Sequence, residues 1–197
     1  MSHALSNESH YEDSNSKVIF GFWIFILTDF ILFAALFATY SVLHNNTYGG
    51  VGIKDIVDLP YSLVQSLIFV TSSLSYGLGI VAMKKNEQKS LLFWLGVTFI
   101  LGLAFVSLEF NEFAKLVHAG HTWQSSAFLS SFFTLVGLQG IHVTIGLLWI
   151  VIVMIQLTMQ HINPTMRTRL ACLGLFWDFL NIIWIFIFSI VYLMGAI

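Results

Sequence analysis

A few ionisable side chains interrupt otherwise apolar runs, and they are the residues placed to move a proton or anchor a cofactor. Asp29 stands about 16 Å into the first run at about 1.5 Å of rise per residue. Glu109 and Glu112 are three apart, on one helical face of the third run. Gln139 and His142 share that spacing in the fourth run, and Asp178 and Asn181 in the fifth. A charge at mid-bilayer costs at least about 2.5 kcal/mol, so each such group marks either a structural hydrogen bond or a proton-handling site. For Asp29 both readings stand. Glu112 is near enough to a helix end for partial solvation to explain it. His142 reads equally as an interhelical hydrogen-bonding group, and Asp178 with Asn181 as a tie to a neighbouring helix.

Other chemistries lack their residues. Haem in a helical bundle needs axial ligands facing each other from apolar helices. Only His142 lies deep; His44, His118, His121 and His161 fall at or beyond the ends of the runs, and His3 and His10 precede them. Cys172 is the single cysteine, so no copper–thiolate pair or internal disulfide forms, and it reads as a packing residue. No Glu-x-x-His motif suggests a di-iron bundle, and no Ser/His/Asp set or Gly-rich phosphate loop is present. The residues give no catalytic group, no metal site and no cofactor held by this chain.

The elements that carry these groups are membrane helices. Of 197 residues, 57% are hydrophobic and 9% charged, against about 25% charged in soluble domains; mean hydropathy is +0.85. Spanning about 30 Å of hydrocarbon takes about 20 apolar residues. Five stretches suffice: about Val18–Leu43, Pro60–Met83, Leu91–Val117, Ala127–Met159 and Leu170–Ile197. The predicted fold is an all-α integral membrane bundle of five transmembrane helices over residues 17–197, preceded by a polar, flexible tail over 1–16. Lys17, Lys84, Lys85, Lys89, Arg167 and Arg169 fall on one side and Lys54 and Lys115 on the other. That bias places the N-terminus in the cytoplasm and the C-terminus in the periplasm of a bacterial plasma (inner) membrane. Arg167 and Arg169 are candidates for anionic lipid headgroups, or simply topology signals. Tyr40, Tyr61, Trp123 and Tyr192 fit interfacial belts. No basic patch suggests nucleic acid.

Several segments resemble one family. Gly137-Leu138-Gln139-Gly140-Ile141-His142-Val143-Thr144-Ile145-Gly146 is similar to the Gly-x-x-Gly-x-His-Val-x-x-Gly stretch of haem–copper oxidase subunit III. Leu27-Thr28-Asp29-Phe30-Ile31-Leu32-Phe33 resembles that family's buried-carboxylate motif, and Glu109-Phe110-Asn111-Glu112-Phe113 its acid-plus-aromatic pattern, with Glu112 at the family's Glu position. Leu175 to Trp184 is similar to the family's Trp-His-Phe-x-Asp-x-x-Trp stretch. The five-helix length and the ending Val191-Tyr192-Leu193-Met194-Gly195-Ala196 look most like its bacterial ubiquinol-oxidase branch. Three positions depart: Gln139 and Asp178 replace the usual His, and Asn181 the usual Asp.

The resemblance implies a non-catalytic subunit of a proton-pumping terminal oxidase that takes electrons from quinol to oxygen. Its partners would be the catalytic haem–copper subunit I, which carries the haems and copper, the other oxidase subunits, and structural phospholipid. Asp29, Glu109, Glu112, His142 and Asp178 would form its buried polar, proton-related set. The rival class is a small proton or solute channel or transporter, motivated by the same acids; the absence of an internal repeat or Pro-broken helices speaks against it.

Overall fold

The computed structural model describes residues 2–47, 49, 52–56, 58–160 and 162–196, with side chains from residue 16 onward except 54, 55 and 196. Lys54 and His161 therefore lie outside the described side chains. Five long helices form the bundle: α1 (Ser2–Leu43), α2 (Leu59–Lys84), α3 (Gln88–His118), α4 (Ala127–Met159) and α5 (Pro164–Ile187). A π-helical turn, Phe188–Leu193, prolongs α5, and a four-residue helix, Ile53–Ile56, lies between α1 and α2. Each long helix contains a stretch apolar and long enough to cross a bilayer, the first being Ser16–Leu43 and the last Pro164–Leu193.

Local chemistry sets the ends. The Ser126 hydroxyl accepts the Leu129 N–H at 3.1 Å, capping α4. Asn163 does the same for α5, accepting the Met166 N–H at 2.8 Å, with Pro164 in the first turn, where a missing N–H costs nothing. Asn163-Pro164 thus opens α5 six residues before the expected Leu170. Between α2 and α3 the turn passes through Asn86 at φ 58°, a left-handed conformation that Asn tolerates better than most residues.

The helix α5 is the most enclosed of the five and α1 the most peripheral. Helix α5 packs on α1, α2 and α4, while α3 joins α2 to α4 on the far side. Lipid supplies no hydrophobic force between helices, so they must meet through close packing and polar ties. Trp177 of α5 shows both. Its fully buried ring lies over Gly102 of α3 and Gly146 of α4; a Cβ at Gly102 would come within 2.8 Å of the ring, and one at Gly146 within 3.0 Å. Its indole N–H donates to the Ser72 hydroxyl at 3.1 Å, and the Trp184 N–H to the Ser66 hydroxyl at 2.9 Å. Phe69 and Phe105 stack beside them with ring centroids 4.3 Å apart. Small residues of α2 also meet α3, Ser75 with Thr98 at 2.6 Å and Gly79 with Trp94.

Of the expected belt aromatics, Trp123 is exposed, whereas Tyr40 and Tyr192 are buried. The belt reading fails for those two because both pack inward, Tyr40 against Phe128 and Tyr192 against Trp184 and Phe132.

Ser66→Ala leaves the Trp184 N–H without its acceptor and is expected to destabilise the bundle by about 1 kcal/mol. Ser107→Ala removes an exposed hydroxyl bonded only to its own helix and should have no effect. Thermal midpoints of the purified protein in one detergent test the difference.

Candidate functional site

Asp29 and His142 come together across α1 and α4, with Nε2 and Oδ2 3.7 Å apart and both side chains 14% exposed. The other ring nitrogen settles the tautomer. Nδ1 lies 2.8 Å from the Leu138 carbonyl oxygen, which can only accept, so Nδ1 carries a hydrogen. Nε2 therefore faces Asp29 either as a lone pair or as the second N–H of imidazolium. At 3.7 Å the two atoms are in close polar contact and not hydrogen-bonded, and Asp29 Oδ2 has no hydrogen-bond partner among the described residues. Phe33, at 5.4 Å between centroids, and Phe176, at 6.4 Å, wall the imidazole. Gln139, three residues earlier, turns to another neighbour: its amide donates to the Leu180 carbonyl of α5 at 2.9 Å.

The acids of α3 also diverge. Glu112 is buried and accepts a hydrogen bond from the Tyr192 hydroxyl at 3.2 Å. The π-helical turn brings Tyr192 there, since an i→i+5 turn rotates side chains off the α-helical face. Glu109 is 3% exposed, and neither carboxyl oxygen has a hydrogen-bond partner among the described residues. It lies flat on Gly140, where a Cβ would stand 2.8 Å from Oε2. Glu109 forms part of the lining of an apolar slot of about 290 Å³ between α3 and α4, with Val106, Phe110, Ile141 and Thr144 among its other walls.

Asp178 and Asn181 do not act together. Asn181 is buried and its amide donates to the Trp177 carbonyl at 3.0 Å. Asp178 is exposed and accepts the Ser73 hydroxyl of α2 at 2.5 Å. The expected polar set is therefore three separate contacts and one isolated acid, distributed over different helix pairs. Tyr192 and Ser73, the partners of two of these acids, were not legible as such. Nothing in the sequence marks the π turn that carries Tyr192. Among the described residues no three His, Cys, Asp or Glu side chains converge to hold a metal ion.

The family model for cytochrome c oxidase subunit III matches residues 2–196. The chain belongs to the cytochrome c oxidase subunit III family. It is similar, at 48% identity over 97% of its length and 91% of the relative's, to cytochrome bo(3) ubiquinol oxidase subunit 3 of Pseudomonas aeruginosa. Quinol oxidase subunit 3 of Bacillus spizizenii is 38% identical over 99% of this chain and 98% of its own. Cytochrome c oxidase subunit 3 of Bacillus sp. strain PS3 is 40% identical over 90% and 86%. As a subunit III, this chain is one member of an oxidase complex whose catalytic centre lies in subunit I.

Gln139 ties α4 to α5 through its amide on a backbone carbonyl, and the Asn181 amide donates to the Trp177 carbonyl, while Gln139 Oε1 and Asn181 Oδ1 stay buried with no partner among the described residues. The Asp29–His142 contact joins the peripheral α1 to the rest, so His142→Leu is expected to weaken it by about 1–2 kcal/mol at most. In a double-mutant cycle Asp29→Leu should add little to His142→Leu, as expected of two partners in one contact. Strictly additive losses would show that the two side chains work independently.

Proposed function

We propose that this chain is the non-catalytic third subunit of a proton-pumping terminal quinol oxidase in a bacterial plasma membrane, packed against subunit I. The end-to-end likeness to quinol oxidase third subunits carries this reading. The complex oxidises quinol and reduces oxygen to water; this chain contributes stability, lipid binding and support for proton uptake.

Asp29 with His142 is the proton-handling element. The support is the placement of an acid and an imidazole side by side, both partly buried, at the seam of α1 and α4. Glu112 with Tyr192, Asp178 with Ser73, and Glu109 complete the acid set at membrane depth.

The N-terminus faces the cytoplasm and the C-terminus the periplasm. In support, Arg167 at the start of α5 reaches the turn between α2 and α3, where its guanidinium donates to Asn86 Oδ1 at 2.6 Å, beside Lys84 and Lys85. Arg169 donates to Gln156 Oε1 at 2.8 Å. Both acceptors are neutral, so this end keeps its positive charge for anionic phospholipid headgroups, each basic residue near the surface contributing about 1 kcal/mol. The slot between α3 and α4 admits an acyl chain.

Purified from native membrane through a tag on this chain, the complex is expected to show haem absorbance and a larger subunit; the chain isolated from its partners should be colourless. A colourless, partnerless preparation from native membrane contradicts the assignment. Asp29→Asn is expected to leave assembly intact and to shorten the life of the oxidase during turnover. Wild-type activity over many turnovers would reduce Asp29 to a structural tie.

A further inference from the structure

The acids of the bundle differ in one respect. Asp29 faces His142, Glu112 has Tyr192, and Glu109 is buried against Gly140, but Asp178 stands on the outer surface. It is 14 residues past Pro164 in a span that ends at Leu193, which puts it about 21 Å from either end. Ser73, its partner, is likewise central in α2. A carboxyl group has about four lone-pair sites, and among the described residues the Ser73 hydroxyl alone reaches this one. Facing hydrocarbon, the remaining sites have no water to satisfy them.

The surroundings form a shallow apolar surface. On α5 the exposed Ile182 and Ile185 follow Asp178 at helical spacing; on α2, Val70, Leu74 and Gly77 flank Ser73. Gly77 is exposed, and a Cβ there would meet nothing within 4 Å, so nothing in this chain requires a glycine at that point. A bare patch of backbone at mid-membrane lets another helix approach closely.

We propose that this α2–α5 face seats a transmembrane helix of another oxidase subunit, which passes close to Gly77 and brings a hydrogen-bond-donating side chain to Asp178. The inference rests on the assignment of the chain to an oxidase complex and adds which face is covered and by what chemistry. Phospholipid does not fit, because its polar groups lie at the interface, about 15 Å from the bilayer centre, and its acyl chains carry no donor. A second copy related by a two-fold axis through this face would set one Asp178 against the other, two acids that repel when ionised. A helix with a hydroxyl, amide, imidazole, indole or ammonium group at mid-depth satisfies the carboxyl.

The test is a photo-crosslinking amino acid in place of Ile182, in the tagged full chain within native membranes. Ile141, exposed on α4, takes it as the control. The position-182 variant is expected to give a covalent adduct with another oxidase subunit, identified by mass spectrometry, with at least tenfold more protein adduct than the control. Adducts with lipid alone, or with a second copy of this chain, overturn the proposal. Gly77→Leu provides the independent arm: it should lower the yield of co-purified subunits at least tenfold while the isolated chain keeps its own thermal midpoint. Undiminished co-purification would show that the face is open to lipid. If the unmodified chain brings down no oxidase subunit, the assignment to the complex fails instead, a result distinguishable from failure of the face.

Discussion

The Trp177 ring of α5 fits against a glycine on each of two other helices, Gly102 of α3 and Gly146 of α4. It occupies the space left by the missing side chains, and its N–H is held by Ser72. In hydrocarbon, van der Waals contact and interhelical hydrogen bonds do the work that burial does in water. A wedge between two glycines gives both. The other contacts along α5 follow from this placement. Trp184 lies two turns further on, within reach of Ser66, and Asn181 folds back on the Trp177 carbonyl. The π-helical turn then swings Tyr192 under Glu112.

The same packing explains why the polar groups stay apart. A redox or transport site gathers its ligands or acids around one cavity. Here three of the acids are met at different seams, α1 with α4 for Asp29, α3 with the end of α5 for Glu112 and α2 with α5 for Asp178, and Glu109 has no hydrogen-bond partner among the described residues. Such contacts hold helices in register, which suits a companion subunit within an oxidase complex. The aromatic interior leaves little room for anything larger, since Trp177, Trp184, Tyr192 and five phenylalanines are almost wholly enclosed.

Much of this was legible in the residues. Long apolar runs fix membrane helices because unsatisfied backbone is intolerable in lipid, and all five were placed, one of them, Ala127–Met159, to the residue. The start of α5 is hard to read because Thr165, Arg167, Thr168 and Arg169 dilute the apolar signal, although Asn163-Pro164 carries the cap. Partner choice was much harder to see. Three-residue spacing puts Asp178 and Asn181, or Gln139 and His142, roughly on one side of a helix. At a helix junction, however, one side spans two neighbours, and only the tertiary arrangement shows that they part. Tyr192 was taken for an interfacial residue because its place near the chain's end outweighed its neighbours, and the extra residue of the π turn could not be foreseen.

The Trp177 wedge is measured directly by a double-mutant cycle between Trp177→Phe and Gly146→Ala. In the wild-type background, Gly146→Ala should destabilise the detergent-purified protein by about 1–3 kcal/mol, because the added methyl meets the ring. In the Trp177→Phe background the smaller ring should accommodate it, leaving a coupling of at least about 1 kcal/mol. If the two changes add without coupling, the ring does not bear on that glycine, and the packing that organises the bundle lies elsewhere.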